Sequence, residues 1–153
     1  MLYSAYMKYE QLIKHIEGII DKNIPLISNL SNVAAILYKM NDVSWAGFYL
    51  FDGDKLYLGP FQGDIACTVI PLNKGVCGAS ASKKETIIVH DVTTFKGHIA
   101  CSSSSKSEIV TPIYIGDKLY SVIDIDSDRL NSFNEDDQMF LEKVSNILLD
   151  LFK

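Results

Sequence analysis

The stretch "IVTPIYIGDKLYSVIDID", residues 109–126, constrains this chain more than any other. Two runs rich in β-branched and aromatic residues flank Gly116-Asp117, which reads as a long antiparallel hairpin. Its second arm alternates strictly. Ile123 and Ile125 fall on one face, Asp124 and Asp126 on the other. Aspartate is depleted in strands. Its appearance twice on one face leaves two readings, a solvated sheet face or a pair of carboxylates lining a cleft. Glu108, at the start of the first arm, could join them across the hairpin.

A second hairpin, "WAGFYLFDGDKLYLGPF", turns at Asp52-Gly53-Asp54. The shared "GDKLY" of the two hairpins is turn chemistry, because nothing else in the segments matches. "CTVIPL" and "TIIVHDV" read as short strands, with the glycine-rich "NKGVCGASASKK" between them as a loop. Helical spacing predicts two leading helices. One, over 9–22, carries Leu12, Ile13, Ile16, Ile19 and Ile20; the other, over 28–40, carries Leu30, Val33, Ala34, Leu37 and Met40. Ser132 and Glu135 have capping-box spacing and open a last helix with Met139, Leu141, Val144, Ile147, Leu148 and Leu151. Two helices, about six short strands and one helix make an α+β fold with a mainly antiparallel sheet. No linker divides the 153 residues, so a single domain over 1–153 is expected.

The net charge of −5 argues against nucleic-acid binding. Lys8, Glu10, Lys14 and Glu17 interrupt the N-terminal segment, so it lacks the apolar run of a signal peptide, and no stretch has the apolar length of a membrane span. The expectation is a cytoplasmic protein. Three cysteines, an odd number, do not suit a secretory disulfide framework.

Those cysteines are Cys67, Cys77 and Cys101, spaced by ten and then twenty-four residues. Cys101 heads four consecutive serines in "HIACSSSSKSEIV", a polar setting for a residue that usually behaves as a small buried hydrophobe. With His15, His90 and His98 the cysteines lack the paired spacing of zinc sites. "GVCGAS" is not a phosphate loop, and no Ser, His and Asp cluster indicates a hydrolase. What remains suits a redox cycle, in which one thiolate attacks, another thiol captures the oxidised sulfur and an external dithiol resets the pair. Trp45 and Tyr49, four apart on one strand, are either core or a box for a polarised methyl group.

"WAGFYL", "LGPFQGDIACTVIP", "GVCG", "GHIAC", "SEIV" and "DIDS" together resemble the free methionine-(R)-sulfoxide reductases, enzymes built on the GAF fold. The resemblance runs from about Trp45 to the end of the last helix. It implies Cys101 as the catalytic cysteine, and Cys67 and Cys77 as the two that can act in disulfide resolution. It further implies Glu108, Asp124 and Asp126 as acidic substrate-site residues, with Trp45 and Tyr49 as an aromatic wall around the methylthio group. The family's enzymes act on the free amino acid, draw electrons from thioredoxin, need no bound cofactor or metal, and are commonly homodimers. Ser102 stands where the family often has an aspartate after "HIAC", which alters the field on Cys101. The competing reading is a GAF sensor that binds a small ligand and regulates a partner. Within the family reading, Cys67 is favoured as the first resolving thiol, with Cys77 as relay or substitute.

Overall fold

The computed structural model describes residues 2–99 and 104–153. The elements run α1 (Leu2–Ile19), α2 (Leu26–Leu37), β1 (Trp45–Phe51), β2 (Lys55–Gln62), β3 (Val69–Pro71), α3 (Gly75–Lys83), β4 (Ile87–Val89), a 3₁₀ turn (Val92–Thr94), β5 (Ser107–Ile115), β6 (Lys118–Ser127) and α4 (Glu135–Phe152). One six-stranded sheet has the order β3-β2-β1-β6-β5-β4, with every neighbouring pair antiparallel. The expected α+β architecture is present, and both hairpins turn where the sequence places them.

The sheet separates two apolar layers. Ile123 and Ile125 of β6, Phe48 of β1 and Ile109 and Ile113 of β5 pack with Leu12 and Ile16 of α1, Leu30, Val33 and Leu37 of α2, and Leu141 and Leu148 of α4. On the opposite face, Trp45, Tyr49, Leu56, Ile70, Val110 and Val122 pack with Val76, Cys77 and Ala81 of α3. The connection from α1 to α2 is closed by buried Asn29. Its side-chain oxygen accepts from the Asp21 N–H at 2.9 Å, and its amide donates to the Asp21 carbonyl at 2.8 Å.

Three local expectations are corrected. The glycine-rich segment, read as a loop, forms α3, so the described residues hold four α-helices where three were expected. Small residues let it lie directly against β3. A Cβ on Gly78 would stand 2.7 Å from the Pro71 carbonyl oxygen and 2.9 Å from that of Leu72. The last helix is capped by Asn134 and not by Ser132. The Asn134 side chain accepts from the Asp136 and Asp137 N–H groups, and Asp137 accepts from the Asn134 N–H. Ser132 instead donates to the Ser127 hydroxyl oxygen at 2.7 Å. Finally, the first helix starts well before residue 9 and the second starts at Leu26, directly after Pro25, whose fixed φ suits a helix entrance.

Candidate active site

Strand register brings the acidic residues together. Glu108 on β5 is the cross-strand partner of Asp126 on β6, and Asp126 is the partner of Trp45 on β1. One row along, Asp124 stands between Val110 and Gly47. Because side chains alternate, all of these point to the α3 side of the sheet, away from the Ile123 and Ile125 core. Gly47 leaves that row open. A Cβ there would meet Phe61 Cβ at 2.4 Å and the Trp45 ring at 2.8 Å. The Trp45 ring therefore occupies the space that a side chain at Gly47 would take, and it is stacked with Tyr49 at 6.0 Å and with Phe61 at 5.2 Å between ring centroids.

The polar ends of both aromatic residues hold the segment that leads from β2 to β3. Trp45 Nε1 donates to the Asp64 carbonyl at 3.0 Å, and the Tyr49 hydroxyl donates to the Cys67 carbonyl at 2.9 Å. Cys67 lies in this irregular segment, two residues before β3, and not at a strand start as the sequence suggested. It is disulfide-bonded. Cys77 is a free, buried thiol on the first turn of α3, where the sequence reading had put it on a loop. Its Sγ lies 4.0 Å from Glu108 Oε1. Cys101 lies outside the described residues, as does Ser102.

A cavity of about 50 Å³ sits between these parts, lined by Trp45, Tyr49, Cys77, Glu108, Asp124 and Asp126. Ile65 and Ala66, Ile70, Gly75 and Val76, and His98, Ile99 and Ser105 complete its wall. Sequence reasoning named none of this second set as site residues. His98 and Ser105 were nevertheless signalled by flanking Cys101 in "HIACSSSS", and Ile65 and Ala66 by preceding Cys67. Among the described residues, Asp124 Oδ1 and Ser105 Oγ are buried without a hydrogen-bond partner, and both residues line the cavity.

Removal from water is the dominant electrostatic fact here, because it disfavours every negative charge. Burial, reinforced by Asp126, pushes the Glu108 carboxyl up to about 8. Burial and then Glu108 hold Asp124 far above the usual carboxylate range, and burial and then Asp124 do the same for Asp126. Burial, then Asp124, raises the Cys77 thiol well above its ordinary value. Burial lowers the His98 imidazolium, favouring neutral imidazole. Each of these groups is therefore biased toward its protonated form, and each carboxyl resists ionising beside the others. Such groups donate hydrogen bonds to an oxygen, and they recover their charge beside a cation. Cys77 Sγ and one carboxyl oxygen each from Glu108 and Asp124 lie within 4.8 Å of one another, close enough to share a cation of either kind, ammonium or metal.

Comparison with known proteins places the chain. The chain matches the GAF domain over residues 30–149. GAF domain-containing protein A of Dictyostelium discoideum is 48% identical over 142 residues, 92% of this chain and 90% of that protein. The free methionine-R-sulfoxide reductase of Saccharomyces cerevisiae is 44% identical over 148 residues, 91% of this chain and 82% of that one. The free methionine-R-sulfoxide reductase of Neisseria meningitidis, solved in complex with its substrate, superposes with a TM-score of 0.89 at 40% identity, covering 94% of this chain and 87% of that one. Near-complete overlap at this identity, on the same fold, shows that the chain belongs to the free methionine-R-sulfoxide reductase family of GAF domain proteins.

Proposed function

We propose that this chain reduces free methionine (R)-S-oxide to methionine with electrons from thioredoxin, acting as one GAF domain over 1–153 and as a cytoplasmic homodimer that needs no bound cofactor. The observation that carries the reading is the row Glu108–Asp126–Trp45 with Asp124 beside it, buried carboxyls facing stacked aromatic rings across one small cavity. A free amino-acid sulfoxide offers an ammonium, a carboxylate, a polar S–O bond and a methyl group. The acidic cluster takes the ammonium and donates a proton to the sulfoxide oxygen, which makes the sulfur electrophilic. Trp45 and Tyr49 hold the polarised methyl. Backbone N–H groups of the serine run take the carboxylate.

In this reading the Cys101 thiolate attacks the sulfoxide sulfur. Methionine leaves reduced by two electrons, and Cys101 keeps the oxygen as a sulfenic acid. The thiol of Cys67 then attacks the sulfenic sulfur, forming an S–S bond and releasing water. A thioredoxin dithiol reduces that bond by exchange. Two properties of the other thiols support Cys67 as first partner. Cys67 is disulfide-bonded while Cys77 is free, and burial beside carboxyls keeps Cys77 protonated and hence a poor nucleophile.

The test is an assay of purified protein with free methionine (R)-S-oxide, thioredoxin, thioredoxin reductase and NADPH. Stoichiometric NADPH oxidation and methionine formation are expected. No methionine from the R epimer, with both coupling proteins active on a control substrate, would overturn the reading.

A further inference from the structure

The segment carrying Cys67 is tied down by the two aromatic side chains of the cavity wall, and each uses an atom that a purely apolar wall would not need. Trp45 Nε1 reaches the Asp64 carbonyl at 3.0 Å and the Tyr49 hydroxyl reaches the Cys67 carbonyl at 2.9 Å, one bond at each end of residues 64–67. Trp45 and Tyr49 are both buried on β1, a central strand paired on either side, so the two donors are fixed relative to the sheet. The residues they hold make no strand or helix of their own, and Ile65 between them is 83% exposed. Backbone of that kind is ordered only as far as its anchors order it.

We infer that Tyr49, assisted by Trp45, is a positioning residue for the thiol chemistry of Cys67: its hydroxyl holds the backbone of that residue in the place from which the sulfur makes its disulfide. The inference rests on the resolving role given to Cys67 above, and on a physical difference between two states. In the disulfide, the S–S bond itself constrains residues 64–67. In the dithiol form that constraint is gone, and the two aromatic donors carry the ordering up to Cys67, after which the Leu58 N–H holds the Thr68 carbonyl at 3.0 Å. Holding the dithiol form in the bonded arrangement removes an entropic cost from ring closure, which is preorganisation. Burial and the carboxyl of Asp124 raise the Tyr49 phenol above its ordinary value, so its proton stays available for donation to the carbonyl.

The clamp makes the same ring serve two purposes, with its face toward a methyl group and its oxygen toward a cysteine backbone. Tyr49→Phe separates them, since the ring remains and only the oxygen is lost. Trp45→Phe removes the other donor.

The test equilibrates the full-length protein in glutathione redox buffers, traps thiols by alkylation and quantifies the Cys67-containing disulfide peptide by mass spectrometry. No sulfoxide is present, so the result is independent of whether the chain reduces methionine sulfoxide. In Tyr49→Phe the disulfide should be about fivefold easier to reduce, the scale of one net hydrogen bond, which is a rise of about 20 mV in its potential. Trp45→Phe should move the potential the same way by a smaller amount. A potential unchanged in Tyr49→Phe, or a Cys67 disulfide that does not form in the wild-type protein, would overturn the inference. A shifted potential in a protein that fails to produce methionine would uphold the clamp and sink the proposed reaction.

Discussion

Glu108 and Asp126 are direct cross-strand partners on β5 and β6, with both side chains on the cavity side of the sheet and Asp124 next along the strand. Neighbouring carboxyls on a dry face cannot all ionise, because each charge would face another across a low dielectric.

That arrangement fixes the sign of the pH dependence. Glu108 is raised from its ordinary 4.5 to about 8, so between those values the folded chain binds more protons than the unfolded one. Stability from this group is complete below pH 4.5 and is lost as pH rises toward 8, with a limiting slope of about 1.4 kcal/mol per pH unit. Glu108→Gln should flatten the alkaline side of a plot of unfolding free energy against pH, measured in urea at pH 5 to 9. A steeper or unchanged slope would show that Glu108 ionises freely.

The same carboxyl should appear in the kinetics. If a protonated group serves the sulfoxide oxygen, kcat/KM falls above about pH 8. Asp124→Asn, Asp126→Asn and Glu108→Gln should each lower kcat/KM by roughly 10²–10³-fold. Wild-type efficiency in all three variants would return these residues to a merely structural role.

Cys101→Ser should abolish turnover, since a hydroxyl is a far weaker nucleophile at neutral pH. Cys67→Ser should leave a single equivalent of methionine formed but stop thioredoxin-dependent cycling, whereas Cys77→Ser should cycle more nearly as the parent does. Rapid-quench counting of methionine per protein decides it. Normal cycling in Cys67→Ser with loss in Cys77→Ser would reverse the order of the two thiols.

Selectivity for the free amino acid should follow from the ammonium. N-acetylation removes the charge that the acidic cluster would pair and adds bulk in a small cavity. Efficiency on the acetylated sulfoxide should drop about 10²-fold or more, in line with loss of a charge-assisted hydrogen bond. Comparable rates on both compounds would exclude ammonium recognition by Glu108, Asp124 and Asp126.

Gly47 and Gly78 should resist even a methyl group. A Cβ at Gly47 would meet Phe61 at 2.4 Å, and one at Gly78 would meet the Pro71 carbonyl at 2.7 Å. Both neighbours belong to the sheet or its immediate continuation, so something rigid must move. Alanine at either position should cost about 1–3 kcal/mol of stability by denaturant titration. Gly47→Ala should also disturb the fluorescence of Trp45, the chain's only tryptophan.

The hairpins were legible because period-2 alternation and glycine turns are local signals, and the same alternation put Asp124 and Asp126 on one face. Their partnership with Glu108 followed from pairing the two arms of one hairpin. The contact of Trp45 with Asp126 could not be read this way, because β1 and β6 are far apart in sequence and their pairing is set by packing of the whole sheet. α3 was missed because glycine and serine lower helix propensity, while the close approach at Gly78 rewards small residues. Capping was misplaced by two residues because Ser132 and Asn134 both have a short acceptor, with an acidic residue three positions on, and only the backbone geometry chooses between them. The hydrogen bonds from Trp45 and Tyr49 to residues 64 and 67 left no pattern, since a backbone carbonyl is the same at every position.

β6 faces two ways at once. Ile123 and Ile125 seal the helix-covered layer while Asp124 and Asp126 line the cavity, and the two sets interleave residue by residue. Inserting or deleting one residue in this strand would send the carboxyls into hydrocarbon and the isoleucines into the cavity. The chemistry and the core therefore share a reading frame. Point substitutions can tune the site one residue at a time, whereas a length change within 121–126 would exchange both faces together.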